Sequence, residues 1–186
     1  LGQMHETVGP TDADDRVAFY LQVLADKTGS LIAAAAQSGI IFSNAPTEYE
    51  EPVRTFGEAA GVAFQLLDDV IDLSADPDET GKVPGTDLRA GVPTMPYLLL
   101  ARRDDPEARA LRDRIDEGVA RIADGEDPAL LDEPLAMLRS DRSTRETVEL
   151  ANAWSRDAIA ALDPIPDGPV REALTRFAQA VADRSS

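Results

Sequence analysis

One helix sets the terms on which the rest of this chain can fold. Val53, Phe56, Ala60, Phe64, Leu67 and Ile71 recur at three- and four-residue intervals, which predicts a long amphipathic helix ending near Leu73. At about 100° per residue, Gln65, Asp68, Asp69 and Asp72 fall within a narrow wedge. Phe56, Ala60, Ala63, Leu67, Val70 and Ile71 point the other way, so the carboxylates share one face. Like charges at these spacings cost a helix roughly 0.2–0.5 kcal/mol per pair. Nothing nearby relieves them: between Arg54 and Lys82 there is no Lys or Arg, against seven acids, Glu58, Asp68, Asp69, Asp72, Asp76, Asp78 and Glu79. A cation from solution is the compensation this pattern calls for.

The same periodicity runs through the whole chain. Val17, Tyr20, Leu21, Leu24, Thr28, Leu31, Ile32 and Ala35 predict a helix over 14–42, started by Asp14 or Asp15, with a bend at Gly29 and Ser30. Lys27 sits on the edge of its apolar stripe, where a lysine ordinarily reaches out to water. Residues 43–52 read as a loop. The stretch to Pro96 holds Gly81, Gly85 and Gly91 with Pro77, Pro84, Pro93 and Pro96, too long and broken for an idle connection. Helices are then predicted at 97–103, 106–123, 128–138, 142–162 and 167–183, punctuated by Pro106, Pro128, Pro164, Pro166 and Pro169. Trp154, beside Leu150 and Ile159 on the wheel, belongs to a core. No useful period-2 pattern occurs, so the chain reads as all-α, a single helical domain over residues 1–186.

Composition excludes several functions. A formal charge of −17 with no basic stripe argues against nucleic acid and against anionic membranes. No apolar run approaches a membrane span, so no stable insertion is expected and the cytoplasm is the default location. There is no Cys, and the only His, His5, has no second imidazole to join in binding a metal. Of eighteen basic residues only Lys27 and Lys82 are lysines.

A D-D-x-x-D group on one helix face supplies hard carboxylate oxygens without a closed cage. That suits Mg²⁺, which keeps several waters and shares its shell with substrate phosphates. Lys82 is the first cation after the acids, and Lys27 is available as a second. A rival reading takes residues 76–87 as a calcium loop of the EF-hand type, since Asp76, Asp78, Thr80 and Gly81 fit its early positions. It fails at position twelve, where Asp87 replaces Glu. Pro84 and Gly85 also interrupt the loop, and Gly91 and Pro93 deny it an exiting helix.

These residues resemble the trans-isoprenyl diphosphate synthases, or polyprenyl synthetases. Phe64-Gln65-Leu-Leu-Asp68-Asp69-Val-Ile-Asp72 is similar to the family's second aspartate-rich motif. Gly81-Lys82-Val-Pro-Gly85-Thr-Asp87-Leu88 resembles the G-K-x-x-G-x-D-L segment that follows it, and Thr94-Met95-Pro96 resembles its T-L-P. Residues 20–33, YLQVLADKTGSLIA, resemble the helix whose K-T pair touches diphosphate.

The resemblance implies a helical bundle of the isoprenoid synthase type with its N-terminal helices missing, and a homodimer. It implies Asp68, Asp69 and Asp72 as ligands of Mg²⁺ held against an allylic diphosphate. Lys27, Thr28, Gln65 and Lys82 would contact its oxygens or stabilise the carbocation region, with Lys27, Asp68 and Lys82 catalytic. The implied reaction is ionisation, attack by isopentenyl diphosphate and proton loss.

Two departures matter. The first aspartate-rich motif is absent, because Asp14-Asp15 and Asp104-Asp105 both lack an Asp three residues on. The basic residues that bind isopentenyl diphosphate are also absent, and position 1 is Leu. A C-terminal portion of a longer enzyme, carrying half of the site and inactive alone, is therefore expected. Val92 also stands where many members carry Lys. The competing reading, a non-catalytic helical subunit, is disfavoured by the retention of Lys27, Gln65, Asp68, Asp69, Asp72 and Lys82.

Overall fold

The computed structural model describes residues 15–74 and 83–185, and these contain helices and turns but no strand. Expectations placed on His5, Asp14, Asp76, Asp78, Glu79, Gly81 and Lys82 lie outside the described residues.

The first helical stretch is α1 (Arg16–Leu24), a π-helical turn (Ala25–Gly29) and α2 (Ser30–Ser43). Asp15 starts it, its Oδ1 accepting from the Val17 N–H at 3.0 Å. The extent agrees with the periodicity, and a π turn occupies the place where a bend was expected. After a 3₁₀ turn (Thr47–Tyr49), α3 (Glu50–Ser74) carries the aspartates. A short helix that the periodicity missed, α4 (Thr86–Arg89), lies in the Gly/Pro-rich connection. Next comes α5 (Met95–Ala101), which begins earlier than predicted because Pro96 suits a first helical turn, where no N–H bond is needed. It is followed by α6 (Pro106–Ala123), a 3₁₀ turn (Pro128–Leu131), α7 (Asp132–Ser140), α8 (Arg142–Ala161) and α9 (Pro169–Ala182). No described helix is long and apolar enough to cross a membrane.

The chain divides into two compact units, Leu1–Leu67 with Glu149–Ser186, and Asp68–Val148. In the first, Val53, Phe56, Ala59 and Ala60 of α3 pack with Ala158, Leu162, Ile165 and Ala178, and Trp154 and Ile159 lie against them as expected. Here α3 also approaches the turn before α2 at backbone distance. A Cβ on Gly61 would stand 2.6 Å from the Cα of Gly29, and one on Gly57 2.5 Å from the Cα of Ala33. In the second unit Leu73, Leu88, Leu100, Leu111, Ile115, Leu131, Leu135 and Leu138 form the core.

Candidate functional site

The C-terminal end of α3 and the connection after it build an acidic cavity of about 860 Å³ in the second unit. Asp68, Asp72 and Asp87 line it together with Ile71, Thr86 and Arg89. Two bonds to Asp72 set this geometry: its backbone carbonyl accepts from the Gly85 N–H at 2.9 Å and its Oδ1 from the Thr86 N–H at 3.2 Å. Gly85 makes the turn possible, with φ +68° in the left-handed region; a Cβ there would also fall 2.4 Å from Leu135 Cδ1. The chain thus re-enters a helix at Thr86 and delivers Asp87 to the cavity. Arg89 fastens the far side, donating to the Pro84 carbonyl at 2.8 Å, to the Pro128 carbonyl, and to Asp132 at 2.6 Å.

The electrostatics of this arrangement favour a cation. Asp72 is pushed above the usual carboxylate range, mainly by desolvation and then by the charge of Asp87, against lowering bonds from the Asp87 and Thr86 N–H groups. Its Oδ2 is buried with no hydrogen-bond partner. An orphaned carboxylate oxygen beside two further carboxylates fits a hard divalent ion. Among the described residues no three acidic groups are drawn together tightly enough to cage one by themselves.

The wedge of aspartates read from the sequence separates here. Asp68 is exposed, whereas Asp69 is only 4% exposed, and its Oδ2 accepts from the Met95 N–H at 2.9 Å. Asp69 does not line the cavity; Ile71, assigned to the apolar face, does. The wheel treats neighbours 100° apart as sharing a side, but packing against α5 divides them.

In the first unit the Thr28 hydroxyl donates to Gln65 Oε1 at 2.9 Å. Thr28 and the exposed Lys27 both belong to the π turn (Ala25–Gly29), a local widening common at functional sites. Lys82 lies outside the described residues. Asp87 was missed as a site residue although its signal was present, as the acid two positions after the turn-forming Gly85.

The polyprenyl synthetase family model matches residues 1–127. The chain belongs to the polyprenyl synthetase family. It is 37% identical over 183 residues to the nonaprenyl diphosphate synthase of Mycobacterium tuberculosis, covering 98% of this chain and 53% of that protein. It is 34% identical to the octaprenyl diphosphate synthase of Escherichia coli, covering 98% and 55%. A crystal structure of geranylgeranyl pyrophosphate synthase from Corynebacterium glutamicum, complexed with calcium and isoprenyl diphosphate, superposes with a TM-score of 0.83 at 34% identity. It covers 99% of this chain and 55% of that one. This polyprenyl synthetase chain therefore spans about half the length of the relatives it matches, which share its all-α isoprenoid synthase fold and act in prenyl transfer.

Proposed function

We propose that this chain supplies the second metal-binding half-site of a prenyltransferase that joins isopentenyl diphosphate to an allylic diphosphate. The observation that carries the reading is the cavity shared by Asp68, Asp72 and Asp87, with one oxygen of Asp72 buried and unpartnered. Asp68 and Asp72, joined by Asp87, would hold Mg²⁺ directly or through water. When bound, that ion supplies Lewis-acid stabilisation of negative charge on the diphosphate leaving group.

The protein's own groups do the remaining work. Asp72 fixes the turn that presents Asp87. Thr28 occupies the carbonyl of Gln65, so Gln65 is left to donate through its amide nitrogen. In the family's pattern Lys27, Thr28, Gln65 and Lys82 serve the diphosphate and the cation, and a dry helical interior keeps water from the allylic cation. A homodimer in the cytoplasm belongs to the same reading. Because the sequence holds no opposing aspartate-rich motif, these 186 residues alone should turn over little or no substrate.

The test is Mg²⁺-dependent binding of an allylic diphosphate analogue. Asp68→Asn should abolish it, and binding that survives EDTA overturns the metal role. Robust chain elongation by the 186 residues overturns the half-site reading.

A further inference from the structure

The three aspartates of α3 look alike in sequence but bond differently. Asp68 is exposed at the cavity, and Asp72 gives Oδ1 to the turn while its Oδ2 is buried without a hydrogen-bond partner. Asp69 is buried, and its Oδ2 takes the backbone N–H of Met95, the first residue of α5. Together the bonds of Asp72 and Asp69 form a clamp. Gly85 and Thr86 are tied to Asp72 at one end, and Met95 is tied to Asp69 at the other. Three residues of α3, a rise of about 4.5 Å, thus hold both ends of the segment that carries Asp87. Inside the segment, the Val92 N–H on the Asp87 carbonyl at 2.9 Å and the Gly91 N–H on that of Leu88 at 3.0 Å close the loop on itself.

From this we infer that Asp69 is a positioning residue, not a metal ligand: it fixes the far end of the segment that brings Asp87 beside Asp68 and Asp72. The inference rests on the metal-binding reading above. Its physical basis is that the two roles make different demands. A ligand needs an ionised oxygen facing the ion, whereas a clamp needs only an acceptor at the place of Oδ2, shielded from water so that the bond to Met95 is not exchanged for solvent. The burial of Asp69 meets the second demand.

Asparagine separates the two, because it keeps an acceptor of the same shape and loses the charge. The experiment measures the affinity of the 186-residue chain for Mg²⁺ with inorganic pyrophosphate by calorimetry, alongside hydrogen exchange at the Met95 amide. Asp69→Asn should stay within about threefold of the parent and keep Met95 protected. Asp69→Ala should lose that protection and bind roughly 10- to 100-fold more weakly, the usual range for groups that support ligands from behind. Asp68→Asn is the ligand control. The inference is overturned if Asp69→Asn weakens binding as much as Asp68→Asn does, or if Met95 stays protected in Asp69→Ala. Absence of Mg²⁺-pyrophosphate binding by the parent would defeat the half-site reading instead, and Met95 exchange would still decide the clamp.

Discussion

Substituting Gly61 by alanine tests how the first unit sets the Thr28–Gln65 contact. The added methyl would lie 2.6 Å from the Cα and 2.8 Å from the N of Gly29, and 3.2 Å from the carbonyl carbon of Thr28. All three atoms are backbone, so no rotamer change relieves the clash. Carbon atoms pack at about 3.5–4.0 Å, which requires α3 and the π turn to part by roughly 1 Å. Thr28 Oγ1 and Gln65 Oε1, now 2.9 Å apart, would then exceed hydrogen-bonding range. Overpacking costs about 1–3 kcal/mol, and the better helix propensity of alanine returns about 1 kcal/mol. With a rigid backbone the upper end applies, leaving a net loss of about 2 kcal/mol and a Tm lowered by about 4–8 °C in a chain of this size. Gly39→Ala is the matched control, because a Cβ added there on α2 would meet no atom within 4 Å. That substitution should raise Tm by the propensity gain alone. If thermal unfolding shows Gly61→Ala gaining stability as Gly39→Ala does, the close approach does not exist.

Asp72→Asn should stabilise the chain in EDTA at neutral pH and blunt its stabilisation by Mg²⁺. The sign follows from the raised carboxyl of Asp72. Its contribution is fully present below the ordinary value of 3.8 and is lost as pH rises through the higher folded value, so neutralising the group removes that loss. Thermal melts of both proteins across acid and neutral pH check this, and a parent no less stable than the variant at neutral pH without metal would contradict it. Arg89→Met should cost about 2–3 kcal/mol by urea unfolding, because the carbonyls of Pro84 and Pro128 lose a charged donor. Asp132 is largely exposed, so the loss should persist in 1 M salt (about a 3 Å screening length); a loss that salt erases would assign the effect to the ion pair.

Helices of this chain were legible where apolar spacing is long and regular, as in α3 and α6. Shorter features followed other rules. The helix α4 is a single turn enabled by the conformation of Gly85, and four residues leave no periodicity to read. The π turn holding Lys27 and Thr28 gave only a glycine as warning. Within the site, Asp68 and Asp72 were legible as carboxylates sharing one helix face. The burial of Asp69 was not, because it depends on α5 packing back over α3, a contact between residues 26 apart in sequence. The presence of Asp87 beside them depends on the same long-range closure, so a motif read along one helix gives the shared carboxylates but not which of them packing buries.

The arginine at this cavity bears on what the carboxylates there can bind. Ion pairs elsewhere engage the arginines: Arg54 with Glu51 and Glu58, Arg103 with Asp105 and Asp141, Arg121 with Glu126, and Arg171 with Asp163 and Asp167. All of these acids but Asp141, 20% exposed, have ready access to water, where such pairs contribute little to stability. Among the described residues lining the cavity of Asp68, Asp72 and Asp87, the cation is Arg89, and its bonds go to two carbonyls and Asp132, while desolvation and the charge of Asp87 both bear on Asp72. On the half-site reading, a divalent ion with its phosphate partner would relieve the repulsion between Asp72 and Asp87 on binding.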